Sequence, residues 1–283
     1  MFQAFVDSRG RPAWSADGKR LLYVDCSPSG DSNCRVFIRD MEKGTTREVP
    51  HHLSYVFFPR FGPDGNTIVT QGTDLKGRRA VYLIDATSGS TKFITDIAPN
   101  WTNWWPDGRS IYYGKQGPNE PLVLFRREIG SDVEAEIFRT AACNTPAWAR
   151  VRVSPDAHAI ACVLGDPSTH TVTLMVVPLD GGAPRALLRT REPGAFSSWQ
   201  WMPDGRAILA QKRVPGGPDE LWLAPPDGEP RRLNVDIRNW SGDGGDFDLS
   251  PDGRRIAFVG LAGAHGAEVW ALEHFLTPTS GTR

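Results

Sequence analysis

Six stretches of this sequence repeat one pattern, in which a Pro-Asp-Gly turn signal joins two short apolar segments. A clear copy is FDLSPDGRRIAFVG at residues 247–260. The aspartates of the six copies lie 47, 43, 49, 48 and 48 residues apart, at Asp17, Asp64, Asp107, Asp156, Asp204 and Asp252. A period of this length is the signature of a repeat architecture, and it constrains the fold more than any other feature of the chain.

The turn signal departs from Pro-Asp-Gly at two positions. Proline presets φ at the first central position of a turn, and glycine accepts the left-handed conformation that follows. Ala16 replaces the proline of the first copy, and Ala157 replaces the glycine of the fourth. We therefore expect the fourth turn to differ in geometry or to carry backbone strain.

Each repeat contains four strand-like segments. An apolar strand precedes the turn, a second follows it, and a third and fourth come after a variable loop, as in RAVYLIDA and STKFIT of the second repeat. Six units of four short antiparallel strands predict an all-β fold, a six-bladed β-propeller. We expect one propeller domain over residues 1–283.

The two ends of the chain predict how the ring closes. The sixth repeat reaches its third strand at residues 267–275 and has no fourth, whereas a spare β-like segment at residues 2–6 precedes the first repeat. We expect this N-terminal strand to complete the last blade, because closure removes exposed sheet edges.

The repeated phrase carries a family resemblance. The pattern [FW]SPDG-x-x-I-A-F resembles the WD-like repeat of TolB-type β-propellers, and it covers nearly the whole chain. The closing VWALEHFLTP is similar to the end of TolB-like propellers attached to bacterial regulators and kinases. The resemblance implies a bacterial binding or interaction module that contacts proteins, peptides or small ligands, although the fold hosts enzymes as well.

Charge and hydropathy exclude some partners. Lys and Arg total 32 against 33 for Asp and Glu, so a net charge of −1 argues against nucleic-acid binding. No stretch approaches the ~18 apolar residues of a membrane span, so no membrane insertion is expected. The N-terminus lacks the pattern of a signal peptide. The chain as written is thus expected in the cytoplasm, or in the periplasm or outside the cell if a signal or anchor was removed.

The cysteines leave one question open. Cys26 and Cys34 flank a loop between two expected strands, where a cross-hairpin disulfide is geometrically reasonable. Buried free thiols are the alternative.

Strand alternation predicts which side chains line the central channel. The residue three places before each repeat aspartate is apolar and should pack between blades; these residues are Trp14, Phe61, Trp104, Val153, Trp201 and Leu249. Their preceding neighbours point the other way, toward the channel, and are Ala13, Arg60, Asn103, Arg152, Gln200 and Asp248. Two places further back, the same alternation selects Arg11, Phe58, Trp101, Arg150, Ser198 and Asp246.

These channel residues admit two interpretations. In the first, the charges pair with one another across a solvated axis. In the second, Arg60, Arg150, Arg152 and Arg11 hold an acidic group such as a carboxylate or phosphate, with Trp101 and Phe58 as apolar walls.

The loops between blades add candidate anchors. Aromatic residues on an irregular surface favour binding, and we select Trp101, Trp148 and Trp240. The alternative is that these tryptophans seal gaps between blades.

Catalytic motifs are missing from the sequence. It has no G-x-S-x-G, no G-x-x-x-x-G-K-[ST], no H-E-x-x-H and no C-x-x-C. Asp243, Asp246 and Asp248 could ligate Ca²⁺, but pairing of this acidic loop with Arg11 is the better interpretation. We therefore predict no metal and no cofactor.

Two functions remain. The first is a non-enzymatic module that binds a protein, a peptide or an acidic small molecule at the channel mouth and on the irregular loop face. The alternative is an enzyme of lyase or hydrolase type at the channel mouth. There an arginine would orient substrate, and Asp246 or Asp248 would act as acid or base.

Overall fold

The fold is built from 24 β-strands that form six four-stranded antiparallel sheets. The structure is a computed structural model and describes residues 3–6, 12–26, 34–96, 101–115, 120–143, 151–192, 194–238, 240, 247–261 and 267–276. Within these ranges there is no helix, and hence none long and apolar enough to cross a membrane.

Each repeat forms one blade, with its four strands in chain order from the inside outward. The strands of the first three blades are β2 (Ala13–Trp14), β3 (Arg20–Cys26), β4 (Cys34–Asp40), β5 (Thr46–Val49); β6 (Leu53–Phe61), β7 (Thr67–Asp74), β8 (Arg79–Asp85), β9 (Thr91–Asp96); β10 (Thr102–Trp104), β11 (Ser110–Lys115), β12 (Leu122–Glu128) and β13 (Glu134–Thr140). Those of blades four and five are β14 (Arg152–Val153), β15 (Ala159–Asp166), β16 (Thr171–Pro178), β17 (Arg185–Arg191); β18 (Ala195–Trp201), β19 (Ile208–Arg213), β20 (Glu220–Ala224) and β21 (Arg231–Arg232).

The sixth blade contains both ends of the described chain. Its strands are β22 (Phe247–Leu249), β23 (Arg255–Leu261), β24 (Ala267–Glu273) and, outermost, β1 (Gln3–Val6). β1 runs antiparallel to β24, with Gln3 opposite Trp270 and Val6 opposite Ala267. The predicted six-bladed propeller, closed by an N-terminal strand, is confirmed.

The predicted packing position is also confirmed. Each of its six residues lies in an apolar cluster shared with the preceding blade. The indole N–H of Trp104 donates to the carbonyl of Arg60 (3.3 Å), and that of Trp201 donates to the carbonyl of Arg152 (2.9 Å). These two hydrogen bonds join blade three to the backbone of blade two, and blade five to the backbone of blade four.

The six turns share one hydrogen-bond scheme. In each, the aspartate Oδ1 accepts the backbone N–H two residues later, as in Asp107 with Arg109 (2.8 Å) and Asp156 with His158 (3.0 Å). The glycine of five turns is left-handed, with φ between 64° and 70°. Ala157 takes the same conformation in the fourth turn at φ 62°. The strain expected from the sequence is therefore present, because a Cβ in this region clashes with the following carbonyl.

Relieving that strain should stabilise the protein. We expect Ala157→Gly to raise the free energy of unfolding by about 0.5–1 kcal/mol, since the left-handed penalty of ~1–2 kcal/mol exceeds the extra entropy that glycine loses on folding. Gly205→Ala is the matched control, because a methyl there would contact only Pro155 at 3.8 Å. It should destabilise by a similar amount. Chemical denaturation measures both changes, and equal stability of all three proteins would contradict this account.

Both cysteine pairs form disulfides. Cys26 and Cys34 lie directly opposite each other on β3 and β4 and are bonded. A second disulfide, which was not predicted, joins Cys143 after β13 to Cys162 on β15 and so links blades three and four. Of the two alternatives for Cys26 and Cys34, the structure adopts the disulfide.

Candidate functional site

The innermost strands of the blades surround the propeller axis. β2 contacts β22 and β6, β6 contacts β10, and β18 contacts both β14 and β22. The channel position on these strands is occupied, from blade one to blade six, by Ala13, Arg60, Asn103, Arg152, Gln200 and Asp248. The charged side chains of the described inner strands are Arg60, Arg152 and Asp248, on alternate blades two, four and six. The three charged side chains are therefore spaced around the axis, and the blade between each two of them contributes a neutral side chain.

Asp248 is held by the two blades that flank it. Its Oδ2 accepts the backbone N–H of Trp14 in blade one (2.8 Å). Its Oδ1 accepts a hydrogen bond from Nε2 of Gln200 in blade five (3.0 Å), and the same Nε2 donates to the carbonyl of Phe247 (3.2 Å). The carboxylate is thus fixed at the axis by donors from both sides.

The two arginines reach sideways to the backbone of a neighbouring blade. Nη1 of Arg60 donates to the carbonyl of Pro12 (3.0 Å), and Nε of Arg152 makes a long contact with the carbonyl of Trp199 (3.4 Å). Their relative exposures are 6% and 5%. A solvated position for the two side chains, as in the first interpretation of the sequence, is therefore wrong. The groups lie across the axis, where the surrounding blades cover them.

One nitrogen of Arg152 lacks a partner. Its Nη2 is buried and forms no hydrogen bond with any residue that the structure describes. A buried, unsatisfied donor of a charged group costs more free energy than a typical hydrogen bond contributes, so such atoms usually mark a bound group or ordered water.

The buried charged groups of the channel shift one another's pKa values. Burial, and after it the neighbouring charge of Arg60, lower the pKa of Arg152 to about 10, so Arg152 remains charged at neutral pH. Burial raises the pKa of Asp248, against the opposing charges of Arg60 and Arg152. The charges of Arg60, Arg152 and Asp248 therefore act on one another in the channel.

Tyr112 is a member of this cluster that the sequence analysis missed. Its hydroxyl accepts the backbone N–H of Val153 (3.3 Å) and also hydrogen-bonds with Arg152. The sequence does distinguish Tyr112 from its counterparts, because the other five repeats carry an aliphatic residue at the same position: Leu22, Val69, Ala161, Leu209 and Ala257.

Of the remaining predicted site residues, Asn103 makes a local contact and four others lie outside the described residues. Asn103 occupies the channel position of blade three and accepts the backbone N–H of Trp104 through its Oδ1 (2.8 Å). Arg11, Trp148, Arg150 and Asp246 lie outside the described residues.

Phe58 departs from strand alternation. A β-bulge between Phe57 and Arg60 inserts an extra residue into β6, and Phe58 adopts a left-handed φ of 53°. Its ring packs against that of Phe57 with centroids 4.0 Å apart, and its exposure is 6%. The alternation argument that made Phe58 a channel wall is therefore wrong at this position, because a bulge shifts the face on which preceding residues lie.

Trp101 and Trp240 are not exposed anchors. Their relative exposures are 5% and 6%. Trp101 packs edge-on against Tyr112 in the core between blades three and four, and Trp240 stacks on Phe258 at 4.3 Å. The expectation of an exposed aromatic surface is wrong for these two residues, which instead fill the cores between blades.

Two depressions on the described surface lie away from the channel arginines. One of about 760 Å³ borders the Cys26–Cys34 disulfide and includes Arg35 and His51. The other, of about 700 Å³, includes Arg189, Arg191 and Lys212 beside several threonines. No group of three or more His, Cys, Asp or Glu side chains suited to a metal occurs in the described parts of the chain.

Comparison with solved structures agrees with this architecture. TolB from Acinetobacter baumannii superposes with a TM-score of 0.56 and 17% identity over 95% of this chain. A provisional TolB from Agrobacterium tumefaciens superposes with a TM-score of 0.62 and 19% identity, covering 94% of this chain and 90% of its own. The fold is that of a TolB-like six-bladed β-propeller. This TolB-like chain spans about 55% of the length of the Acinetobacter protein.

The TolB-like fold also occurs in enzymes. Oligogalacturonate lyase in complex with manganese superposes with a TM-score of 0.59 and 14% identity, over 96% of this chain and 90% of its own. In sequence, an uncharacterised protein of Agrobacterium fabrum is 26% identical over 277 residues, which cover 88% of this chain and 83% of that protein. No protein-family model matches the chain.

Proposed function

We propose that this TolB-like propeller is a non-enzymatic binding module that recognises an anionic group of a protein, peptide or small molecule in its channel. The observation that carries the proposal is the buried guanidinium group of Arg152, whose Nη2 forms no hydrogen bond with the described residues. A buried, unsatisfied donor of a charged group is costly, and a bound anion would remove that cost.

The geometry suits a small acidic group. A guanidinium presents several N–H donors in one plane, which match the two oxygens of a carboxylate. Among the described residues, Nη2 of Arg152 has no hydrogen-bond partner, so an anion would gain a charge-assisted bond without breaking one of those contacts. Because both arginines are almost fully covered, we expect the recognised group to be the tip of a ligand rather than a broad acidic surface.

The arrangement of Asp248 favours binding over acid or base catalysis. Both of its oxygens already accept hydrogen bonds, from Trp14 and from Gln200. These donors fix the orientation of a buried carboxylate, and no nucleophile or second acid lies beside it among the described inner-strand residues. This supports a role for Asp248 as an internal counter-ion.

Loss of Arg152 should weaken anion recognition. We expect acetate to bind saturably to the protein at pH 7.5, and Arg152→Gln to weaken binding at least tenfold. The variant loses a charge-assisted contact, which is worth about 1.5–3 kcal/mol. It should keep its melting temperature within a few degrees, because the lost bond to Trp199 is long and the repulsion from Arg60 disappears. Calorimetric titration and thermal denaturation measure the two quantities.

Arg231→Gln is the matched control. Arg231 is exposed on β21 and lies away from the channel, so its loss changes the net charge equally but should leave acetate binding unchanged. Equal weakening in both variants would mean that acetate responds only to overall charge. Absence of saturable binding to the parent protein would contradict the proposed function.

A further inference from the structure

One surface depression gathers positive charge away from the channel. It has a volume of about 700 Å³, and its described lining comes from β15 to β17 of blade four, from the turn between β15 and β16, and from β19 of blade five. Three cationic side chains border it: Arg189, Arg191 and Lys212. We call this region the blade-four depression.

The strand register explains why the two arginines lie together. Arg189 and Arg191 alternate along β17, so both side chains are on the same face of the sheet. Arg189 lies opposite Thr173 on β16, and Arg191 lies opposite Thr171. Residues directly opposite each other share a face, so the outer half of blade four presents two guanidinium groups beside two hydroxyl groups.

Thr173 orients one of these guanidinium groups. Nε of Arg189 makes a long contact with Oγ1 of Thr173 (3.4 Å), and Thr173 is 5% exposed. Within the described chain, the hydroxyl of Thr173 donates no hydrogen bond, and neither Nη atom of Arg189 forms one. The Nη atoms and the hydroxyl therefore remain as donors for a ligand in the depression.

The three cations differ from a neighbouring arginine in their partners. Arg185, also on β17, pairs with Asp227 of blade five. Among the residues that the structure describes, Arg189, Arg191 and Lys212 form no ion pair. Cations that border one concave surface without a paired carboxylate create a local positive potential, which attracts anions.

The carboxylates near the depression are engaged elsewhere. Asp166 is the only acidic residue of the described lining, and its oxygens accept hydrogen bonds from the turn that follows β15, among them that of the Thr169 hydroxyl (2.8 Å). Glu220 lies opposite Lys212 in the ladder but pairs with Arg232 (3.0 Å). Three cations and one carboxylate give the described lining a net charge of +2.

We propose that the blade-four depression binds the phosphate group of a small phosphomonoester, at a site separate from the channel. The planar N–H donors of Arg189 and Arg191 match phosphate oxygens, Lys212 adds a point charge, and Thr173 adds a hydroxyl donor. A phosphomonoester carries a charge of about −1.5 to −2 at neutral pH, which matches the charge of the lining. Carboxylates and sulfate esters carry one negative charge and match it less well.

Methyl phosphate and methyl sulfate are matched probes, because both carry a tetrahedral group and they differ by about one charge at pH 7.5. We expect methyl phosphate to bind saturably in calorimetric titration, and methyl sulfate to bind at least threefold more weakly. The double variant Arg189→Gln/Arg191→Gln should bind methyl phosphate at least tenfold more weakly than the parent. Its melting temperature should not change, because both side chains are exposed.

Two further variants locate the site. Arg206→Gln/Arg231→Gln removes the same net charge from exposed positions on blade five that do not border the depression, and it should keep the affinity of the parent for methyl phosphate. Arg152→Gln alters the channel and should also retain methyl phosphate binding. Conversely, Arg189→Gln/Arg191→Gln should retain acetate binding in the channel.

The outcomes distinguish this site from the proposed channel function. If methyl phosphate does not bind, or if both double variants weaken it equally, the phosphate site is wrong. Equal affinity for methyl phosphate and methyl sulfate would contradict the charge match. If Arg152→Gln abolishes methyl phosphate binding, the phosphate is held in the channel, so the blade-four site fails and the channel site stands. Loss of acetate binding alone would refute the channel site and leave this one intact.

Discussion

Trp201→Ala is expected to lower the free energy of unfolding by about 3–5 kcal/mol, the range for removal of a large aromatic from a packed core. Trp201 is 9% exposed and lies in the apolar cluster between blades four and five. Its indole N–H donates to the carbonyl of Arg152 (2.9 Å), so alanine would leave both a cavity and an unsatisfied acceptor. Chemical denaturation followed by circular dichroism measures the change.

Two further variants separate the effect of the lost volume from that of the lost hydrogen bond, and the packing face from the channel face. Trp201→Phe keeps most of the apolar volume and loses the hydrogen bond, so its cost should be about 1–2 kcal/mol. Asn103→Ser alters the channel position of blade three, where the side chain bonds only to the backbone beside it, and should cost less than about 1 kcal/mol. If Asn103→Ser were as destabilising as Trp201→Ala, the division between packing face and channel face would be wrong.

Deletion of residues 1–6 is expected to lower the melting temperature by about 10 °C. The deletion removes β1, the four-residue strand that pairs with β24 and closes the ring. Backbone hydrogen bonds contribute about 0.5–1.5 kcal/mol each, so losing those of β1 costs several kcal/mol. For a chain of this size, each kcal/mol corresponds to roughly 2–4 °C. The unpaired edge of β24 should also promote association between molecules, which light scattering would detect.

The control for this deletion keeps the strand and changes its side chains. Replacing residues 3–6 by four threonines preserves a backbone that can pair with β24, and it should recover part of the lost stability. A deletion variant that melts at the same temperature as the parent would show that β1 does not close the propeller.

The fold could be predicted from the sequence because it depends on local signals that recur. Six turn aspartates at a regular period specify the number of blades, and the unmatched strand at each end specifies the closure. Alternation along the short inner strands then located Arg60, Arg152, Gln200 and Asp248 on the channel side, where the structure brings them together.

Other features of the site depend on information that alternation does not contain. The bulge in β6 changes the side of the strand on which Phe58 lies, and no distinctive residue in the sequence marks the position of the bulge. Trp101 and Trp240 resemble exposed anchors in sequence but are covered by neighbouring blades. The Cys143–Cys162 disulfide joins different blades, so its pairing depends on how the blades meet. The burial of the channel arginines likewise follows from the width of the closed ring, which no single repeat encodes.

The central proposal is that the channel holds an anion at the buried guanidinium group of Arg152. Its most direct test is a crystal of the protein soaked in bromide, with anomalous diffraction recorded at the bromine edge. We predict a bromide peak on the propeller axis within hydrogen-bonding distance of Nη2 of Arg152. An axis without bromide in a crystal that binds it at surface sites, with the Asp248 carboxylate bridging the two guanidinium groups, would contradict the account.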